Sequence, residues 1–184
     1  MFSLDEGSTE FDHETGQIKS TRFADEIAEI LAGEAWGCMD ITEPDAGSDM
    51  AKLRTSAKQD PDGVWRLNGQ KIFITSGHGK YHFVIARTED AADDSLLGGL
   101  KGLSFFLVKT YEDQPDGTRV RYASVERLEE KLGHHPSATC AISFEDTPGE
   151  LIGNRGEGFR HMLLLMNNAR VGVGFECIGL CVAA

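Results

Sequence analysis

At 184 residues the chain has room for one well-cored domain, and its 30 acidic against 18 basic residues leave a formal charge of −12 at pH 7. That charge repels nucleic-acid phosphates and anionic membrane surfaces, so neither is expected as a partner. The acidic start, Met1-Phe2-Ser3-Leu4-Asp5-Glu6, lacks the features of an export signal, and the most apolar stretch, Met162 to Ala184, is broken by Asn167, Asn168, Arg170 and Glu176, which excludes inexpensive bilayer insertion.

Residues 1–20 are rich in acidic residues, Ser, Thr and Gly and read as a loop or frayed terminus. Over 21–34, Phe23, Ile27, Ile30 and Leu31 recur at helical spacing, with Gly33 placed to end the helix. Short runs then follow that predict strands: 64–67, 72–75, 83–86, 103–108 and 140–144. Asp62-Gly63, Asn68-Gly69 and Asp116-Gly117 read as turns between them, and the acidic, Gly-rich inserts 89–102 and 112–118 read as surface loops. After Pro148 the spacing of Phe159, Met162, Leu163, Met166 and Val173 predicts a late helix, which reads as truncated because no stop signal follows it. The fold class expected is mainly β, an antiparallel barrel or sandwich over 35–150, with a short helix before it and a helix over 151–184 after it.

Cys38, Cys140, Cys177 and Cys181 lack paired CxxC spacing and read as small buried apolar residues without a metal or disulfide, which fits a cytoplasmic protein. His78, His82, His134 and His135 have no Cys or carboxylate partners at recognised ligand spacing and read as surface or loop histidines.

Two tracts carry the chemistry. Asp40-Ile41-Thr42-Glu43-Pro44-Asp45-Ala46-Gly47-Ser48-Asp49 sets a Thr before a Pro/Gly turn and a Ser beyond it. Asn68-Gly69-Gln70-Lys71-Ile72-Phe73-Ile74-Thr75 sets an aromatic two residues before a second Thr, on one side of a regular strand. Taken singly, Phe73 reads as core and Thr75 as an ordinary strand residue. Taken together, the tracts supply a flat apolar wall and hydroxyl donors of the kind that hold a flavin ring.

The paired tracts resemble the middle domain of acyl-CoA dehydrogenases. The likeness extends through Lys131-Leu132-Gly133, Phe144-Glu145-Asp146 with Pro148, and Gly156-Glu157-Gly158-Phe159, and so covers about 23–184. The tracts 76–83 and 130–135 are most similar to a large bacterial subgroup that includes methylthiopropanoyl-CoA dehydrogenase-like proteins. The resemblance implies FAD as cofactor, an acyl-CoA as substrate, α,β-dehydrogenation as the reaction, an electron-transfer flavoprotein as acceptor and a homo-oligomeric parent. By the same resemblance, Met39, Asp40, Ile41, Thr42, Gly47, Ser48, Phe73, Ile74 and Thr75 would contact the cofactor, and Ser48, Asn167 and Arg170 the substrate.

Three positions depart from the family pattern. Phe73 stands where Trp is common and Asn167 where Asp is common, while Ala169 occupies the place at which some relatives carry the catalytic Glu. No catalytic residue is therefore assigned, and the chain reads as a fragment that is inactive alone. An acyl-CoA oxidase middle domain and a non-catalytic β-barrel interaction module are the alternative readings.

Overall fold

A computed structural model describes residues 2–5, 7–90 and 96–184 of the chain. A 3₁₀ turn at Phe2–Leu4 precedes a small hairpin, β1 (Glu10–Asp12) and β2 (Gln17–Ser20), where the sequence reads as a loop; a second contact, Arg22 to Asp5 at 2.8 Å, holds this start in place. The predicted short helix is α1 (Ala24–Leu31), and Gly33 follows it with a φ of 76°.

The main sheet comprises β3 (Gly37–Asp40), β4 (Ser56–Gln59), β5 (Trp65–Thr75), β6 (Tyr81–Arg87), β7 (Leu103–Lys109), β10 (Ala123–Leu128) and β11 (Thr139–Ile152). β8 (Tyr111–Asp113) and β9 (Arg119–Arg121) form a separate hairpin around the predicted Asp116-Gly117 turn. Two helices complete the fold, α2 (Leu96–Lys101) and α3 (Gly158–Ala183). α2 lies inside the insert 89–102 that reads as loop from composition, while residues 91–95 of that insert fall outside the described residues.

Strands β10, β11, β5, β4, β6 and β3 are neighbours in that order, and β7 pairs with both β6 and β11. The pairs β3/β6 and β4/β6 are parallel and the others antiparallel. The fold is thus mainly β, as expected.

β6 and β7 lie at its centre because both of their faces are buried, which is why 83–86 and 103–108 are nearly continuous apolar runs rather than alternating ones. On one face Phe83, Ile85, Phe105 and Leu107 join Phe23, Ile152 and Met162 under α1 and α3. On the other, Val84, Ala86, Phe106 and Val108 pack with Leu67, Ile74, Ile142 and Phe144 of β5 and β11. Each fully buried Phe or Leu of this kind contributes about 1.5–3 kcal/mol relative to exposure.

The sequence reading of Asn68-Gly69 as a turn is wrong. Both lie within the 11-residue β5. Gly69 has a φ of 149°, opposite a register shift between Phe144 and Thr147 of β11, and Asp146 donates its N–H to Asn68 Oδ1 at 2.9 Å. The extra residue of the bulge is on β11, where Glu145 and Asp146 face the single Asn68 and Asp146 takes a φ of 51°, and the dipeptide lies opposite it. β11 likewise continues through Pro148, opposite Arg66, and reaches Ile152 before the helix begins.

Helix α3 starts against β7, so close that a Cβ on Gly158 would lie 2.6 Å from the Ser104 carbonyl carbon. Ser104 Oγ accepts the Gly156 N–H at 2.9 Å and fixes the entry angle. Past this anchor the helix leaves the sheet, and Val171, Val173, Phe175, Ile178, Leu180 and Val182 are all exposed. No helix among the described residues is long and apolar enough to cross a membrane.

Gly69 has no room for a side chain: an added Cβ would sit 2.7 Å from Thr55 Cα. With strain and overpacking acting together, Gly69→Ala is expected to destabilise the fold by about 2–3 kcal/mol, measurable as a lowered urea midpoint.

Candidate functional site

The two tracts meet through a buried ion pair. Lys71 on β5 is fully buried, and its Nζ lies 2.8 Å from Glu43 Oε1 while donating to Ile41 O at 3.0 Å. Glu43 also accepts the N–H of Arg54 at 2.7 Å and of Thr55 at 3.0 Å, so the carboxylate is ringed by donors. Ile72 N–H donates to Thr42 O at 2.9 Å and completes the junction. Burial by itself would raise the Glu43 pKa, but the ammonium and the two peptide N–H groups outweigh it and hold the carboxyl below the usual carboxylate range. Burial lowers the Lys71 pKa, opposed by the Glu43 charge.

Glu43 and Ala46 exchange backbone hydrogen bonds at 3.0 and 3.1 Å, closing the Pro44-Asp45 turn. That turn sends Gly47 and Ser48 back along the mouth of a cleft of about 680 Å³. Met39, Ile41, Thr42, Gly47, Ser48, Phe73, Ile74 and Thr75 line it, together with Met50 and five residues of α3: Phe159, Met162, Leu163, Met166 and Arg170. The helical residues recur at three- and four-residue steps, so one face of α3 forms the opposite wall.

Phe73 reaches this cleft through a local irregularity. Opposite Lys71 to Ile74, β11 is one residue short, with Cys140 paired to Ile74 and Ile142 to Lys71. Phe73 adopts a φ of 60° in the resulting bulge, which presents its ring outward at 59 % exposure between buried Lys71 and Ile74. The core reading of Phe73 is thereby overturned, while the alternation expected across 73–75 holds, with exposed Phe73 and Thr75 on either side of buried Ile74; the bulge breaks it between Lys71 and Phe73. A bulky residue at positive φ costs about 1–3 kcal/mol and persists where the surrounding structure imposes it.

Most of the expected cofactor residues therefore converge, but Asp40 does not face the cleft. Its side chain is buried, with Oδ2 2.8 Å from Nδ1 of fully buried His82 and Oδ1 accepting from Cys38 Sγ at 3.4 Å. His82 Nε2 lies 3.3 Å from Gly79 O, so both ring nitrogens face acceptors. The expectation of a surface histidine fails at position 82 because β6 is buried on both faces. Ligand atoms of Cys38, Asp40 and His82 all lie within 4.8 Å of one another, a spacing a metal ion could occupy, yet each already has a partner in this cluster.

Cys140 is buried as expected, whereas Cys177 and Cys181 are exposed on α3. Burial pushes the Cys38 and Cys140 thiols up, away from the reactive thiolate. Of the expected substrate residues, Ser48 and Arg170 border the cleft; Asn167 is exposed one helical turn away and its Oδ1 accepts from Arg170 Nη1 at 3.0 Å.

The sequence reading missed the Glu43–Lys71 pair, for which the only linear signal is a Lys at an inward strand position and a Glu inside a turn. It also missed the cleft-lining role of the α3 apolar face, although the periodicity that built that face was visible.

Two outcomes follow from the ion pair. Lys71→Met leaves a buried, uncompensated carboxylate and is expected to cost about 3–5 kcal/mol, read from urea unfolding. Because the folded-state pKa of Glu43 is depressed, its stabilising effect is present above the unfolded value and is lost as pH falls through the folded one. The urea midpoint should therefore hold between pH 7 and 5 and fall below about pH 4–5, with a shallower fall in Glu43→Gln.

Comparison with known proteins agrees with this geometry. The family model described as the acyl-CoA dehydrogenase middle domain matches residues 38–147. The 3-methylmercaptopropionyl-CoA dehydrogenase of Ruegeria pomeroyi is 34 % identical over 165 residues, covering 86 % of this chain and 27 % of that protein. Among solved structures, butyryl-CoA dehydrogenase from Megasphaera elsdenii superimposes with a TM-score of 0.69 at 28 % identity, covering 81 % of this chain and 36 % of that one. A chain from the work on the electron transferring flavoprotein of Acidaminococcus fermentans gives a TM-score of 0.61 at 32 % identity, covering 74 % of this chain and 33 % of its own. This chain thus spans about a third or less of each of these three relatives. It belongs to the acyl-CoA dehydrogenase family, and residues 38–147 correspond to the middle domain.

Proposed function

We propose that this chain supplies the flavin-holding wall of an FAD-dependent acyl-CoA dehydrogenase, whose whole protein converts an acyl-CoA thioester to the α,β-unsaturated product. The observation that carries the reading is the cleft itself, in which Thr42, Ser48, Phe73 and Thr75 from the two tracts meet the apolar face of α3 and Arg170.

The residues present fit a flavin. The cleft volume lies within the usual range for ligand pockets, about 300–1,000 Å³. Phe73 offers an exposed ring as one wall, and the Thr42, Ser48 and Thr75 hydroxyls give neutral donors rather than a fixed carboxylate that would oppose an electron-rich ring. When bound, the flavin accepts the hydride that leaves the β-carbon of the thioester.

Each residue has a role in this reading. Thr42, with its peptide N–H, and Thr75 would supply hydrogen-bond donors to a bound flavin, which favour the negative charge it gains on reduction. Phe73 sets the plane of the ring and keeps water from one side of it. Met162, Leu163 and Met166 form an adaptable apolar surface for the acyl chain, and Arg170 at the cleft rim pairs with the anionic part of the CoA. Removal of the α-proton needs a carboxylate beside the thioester. Ala169 cannot serve, so in this reading the base lies in a part of the protein beyond the 184 residues.

The same reading takes the main sheet as a barrel, supported by β7 bridging β6 and β11, and takes an electron-transfer flavoprotein as electron acceptor, supported by the likeness to the Acidaminococcus chain. The test is flavin absorbance of the full-length protein during titration with acyl-CoA, beside the 184-residue chain given FAD. Bleaching is expected in the full-length protein alone. Absence of flavin binding in both would overturn the proposal in favour of an interaction module.

A further inference from the structure

Lys71 is buried, charged and absent from the cleft wall, and its contacts go beyond the ion pair. Its ammonium donates to Ile41 O at 3.0 Å. That carbonyl belongs to the same peptide group as the Thr42 N–H, since residue 41 supplies the C=O and residue 42 the N–H of one planar amide. Among the described residues nothing accepts the Thr42 N–H, while Thr42 itself lines the cleft. Hydrogen bonds polarise one another through a shared amide, and a charged donor on the carbonyl strengthens the N–H on the far side.

We infer that Lys71 is a positioning residue that tunes the flavin through the Ile41–Thr42 amide, making Thr42 N–H a stronger donor to the ring as it gains electrons. The inference rests on the flavin reading above and adds to it a specific electrostatic relay from outside the pocket. The arrangement is directional. The Lys71 end of the pair points to the cleft-forming backbone, whereas Glu43 spends its remaining acceptor capacity on Arg54 N–H and Thr55 N–H, at 2.7 and 3.0 Å. The low-dielectric setting keeps the effect from being screened, because the Lys71 side chain is 0 % exposed and the Glu43 side chain 7 %. The Asp40 carboxylate also acts on Lys71 electrostatically, but it is paired to His82 at 2.8 Å.

A relay of this kind makes two variants move in the same direction, one of which keeps the shape of the pair, whereas a purely structural strut would leave the potential of the shape-keeping variant unchanged. In Glu43→Gln the side chain keeps its shape and an acceptor oxygen, while Lys71 loses the countercharge that opposes the effect of burial, gives up its proton more readily and acts more weakly on Ile41 O. In the pair Glu43→Gln with Lys71→Met, no buried charge is left unmatched and the relay is gone. The measurement is the midpoint potential of bound flavin in the full-length holoprotein, by dye-coupled reduction. Relative to wild type, the double variant is expected to disfavour flavin reduction about tenfold, about 30 mV for a two-electron couple, and Glu43→Gln to disfavour it as well.

An unchanged potential in Glu43→Gln, or a shift that favours reduction, would overturn the relay and leave Lys71 a strut. If the double variant does not retain flavin, the sign of the Glu43→Gln shift decides between the two. Failure of the underlying reading looks different, because then the wild-type protein itself would hold no flavin.

Discussion

The Glu43–Lys71 pair is the interaction on which the rest of the site depends. Two segments separated by about 30 residues in sequence must lie side by side before any cleft exists. A desolvated ion pair is a poor source of net stability, because removing both charges from water offsets most of their attraction. It is a strong source of register. Any slip of β5 against the first tract would strand a charged group in the core, so the one arrangement that satisfies Lys71, Glu43, Arg54 N–H and Thr55 N–H is selected over its neighbours.

Register on the other side of β5 is handled by bulges. β5 and β11 shift register at two places, opposite Gly69 and opposite Phe73, and both carry positive φ. At the first, β11 carries the extra residue, with Asp146 at a φ of 51°, and on its other side Gly69 has no Cβ to meet Thr55. The second holds an aromatic residue in an unfavourable conformation, and the ring it exposes forms part of the cleft. Strain of this kind is tolerated because the flanking residues, Lys71 and Ile74, are both buried and cannot relax without opening the core.

The layer beneath explains why such a site is stable enough to persist. β6 and β7 bury both faces, joining two apolar clusters through a single pair of strands, and α3 is anchored to that pair at Ser104 before its cleft-facing residues begin. The helix wall is therefore placed by the strands rather than by the loops. The buried Asp40–His82 pair sits within the same layer, directly behind the strand that leads to Ile41 and Thr42.

Much of this was legible in the chain. The runs 83–86 and 103–108 announced strands, the spacing of Phe159, Met162, Leu163 and Met166 announced a helix, and the two tracts announced the family. These features are local, since periodicity and turn chemistry act over a few residues. What the sequence could not show is non-local. Asn68-Gly69 has the composition of a turn, and only pairing with a bulged β11 keeps it within a strand; His82 looks like a loop histidine until Asp40 lies 2.8 Å away; Lys71 carries no mark of its partner until Glu43 closes over it. Local preference determined which elements form, and tertiary packing decided which polar groups were buried and how they pair, because the cost of an unmatched charge exists only once water has been excluded.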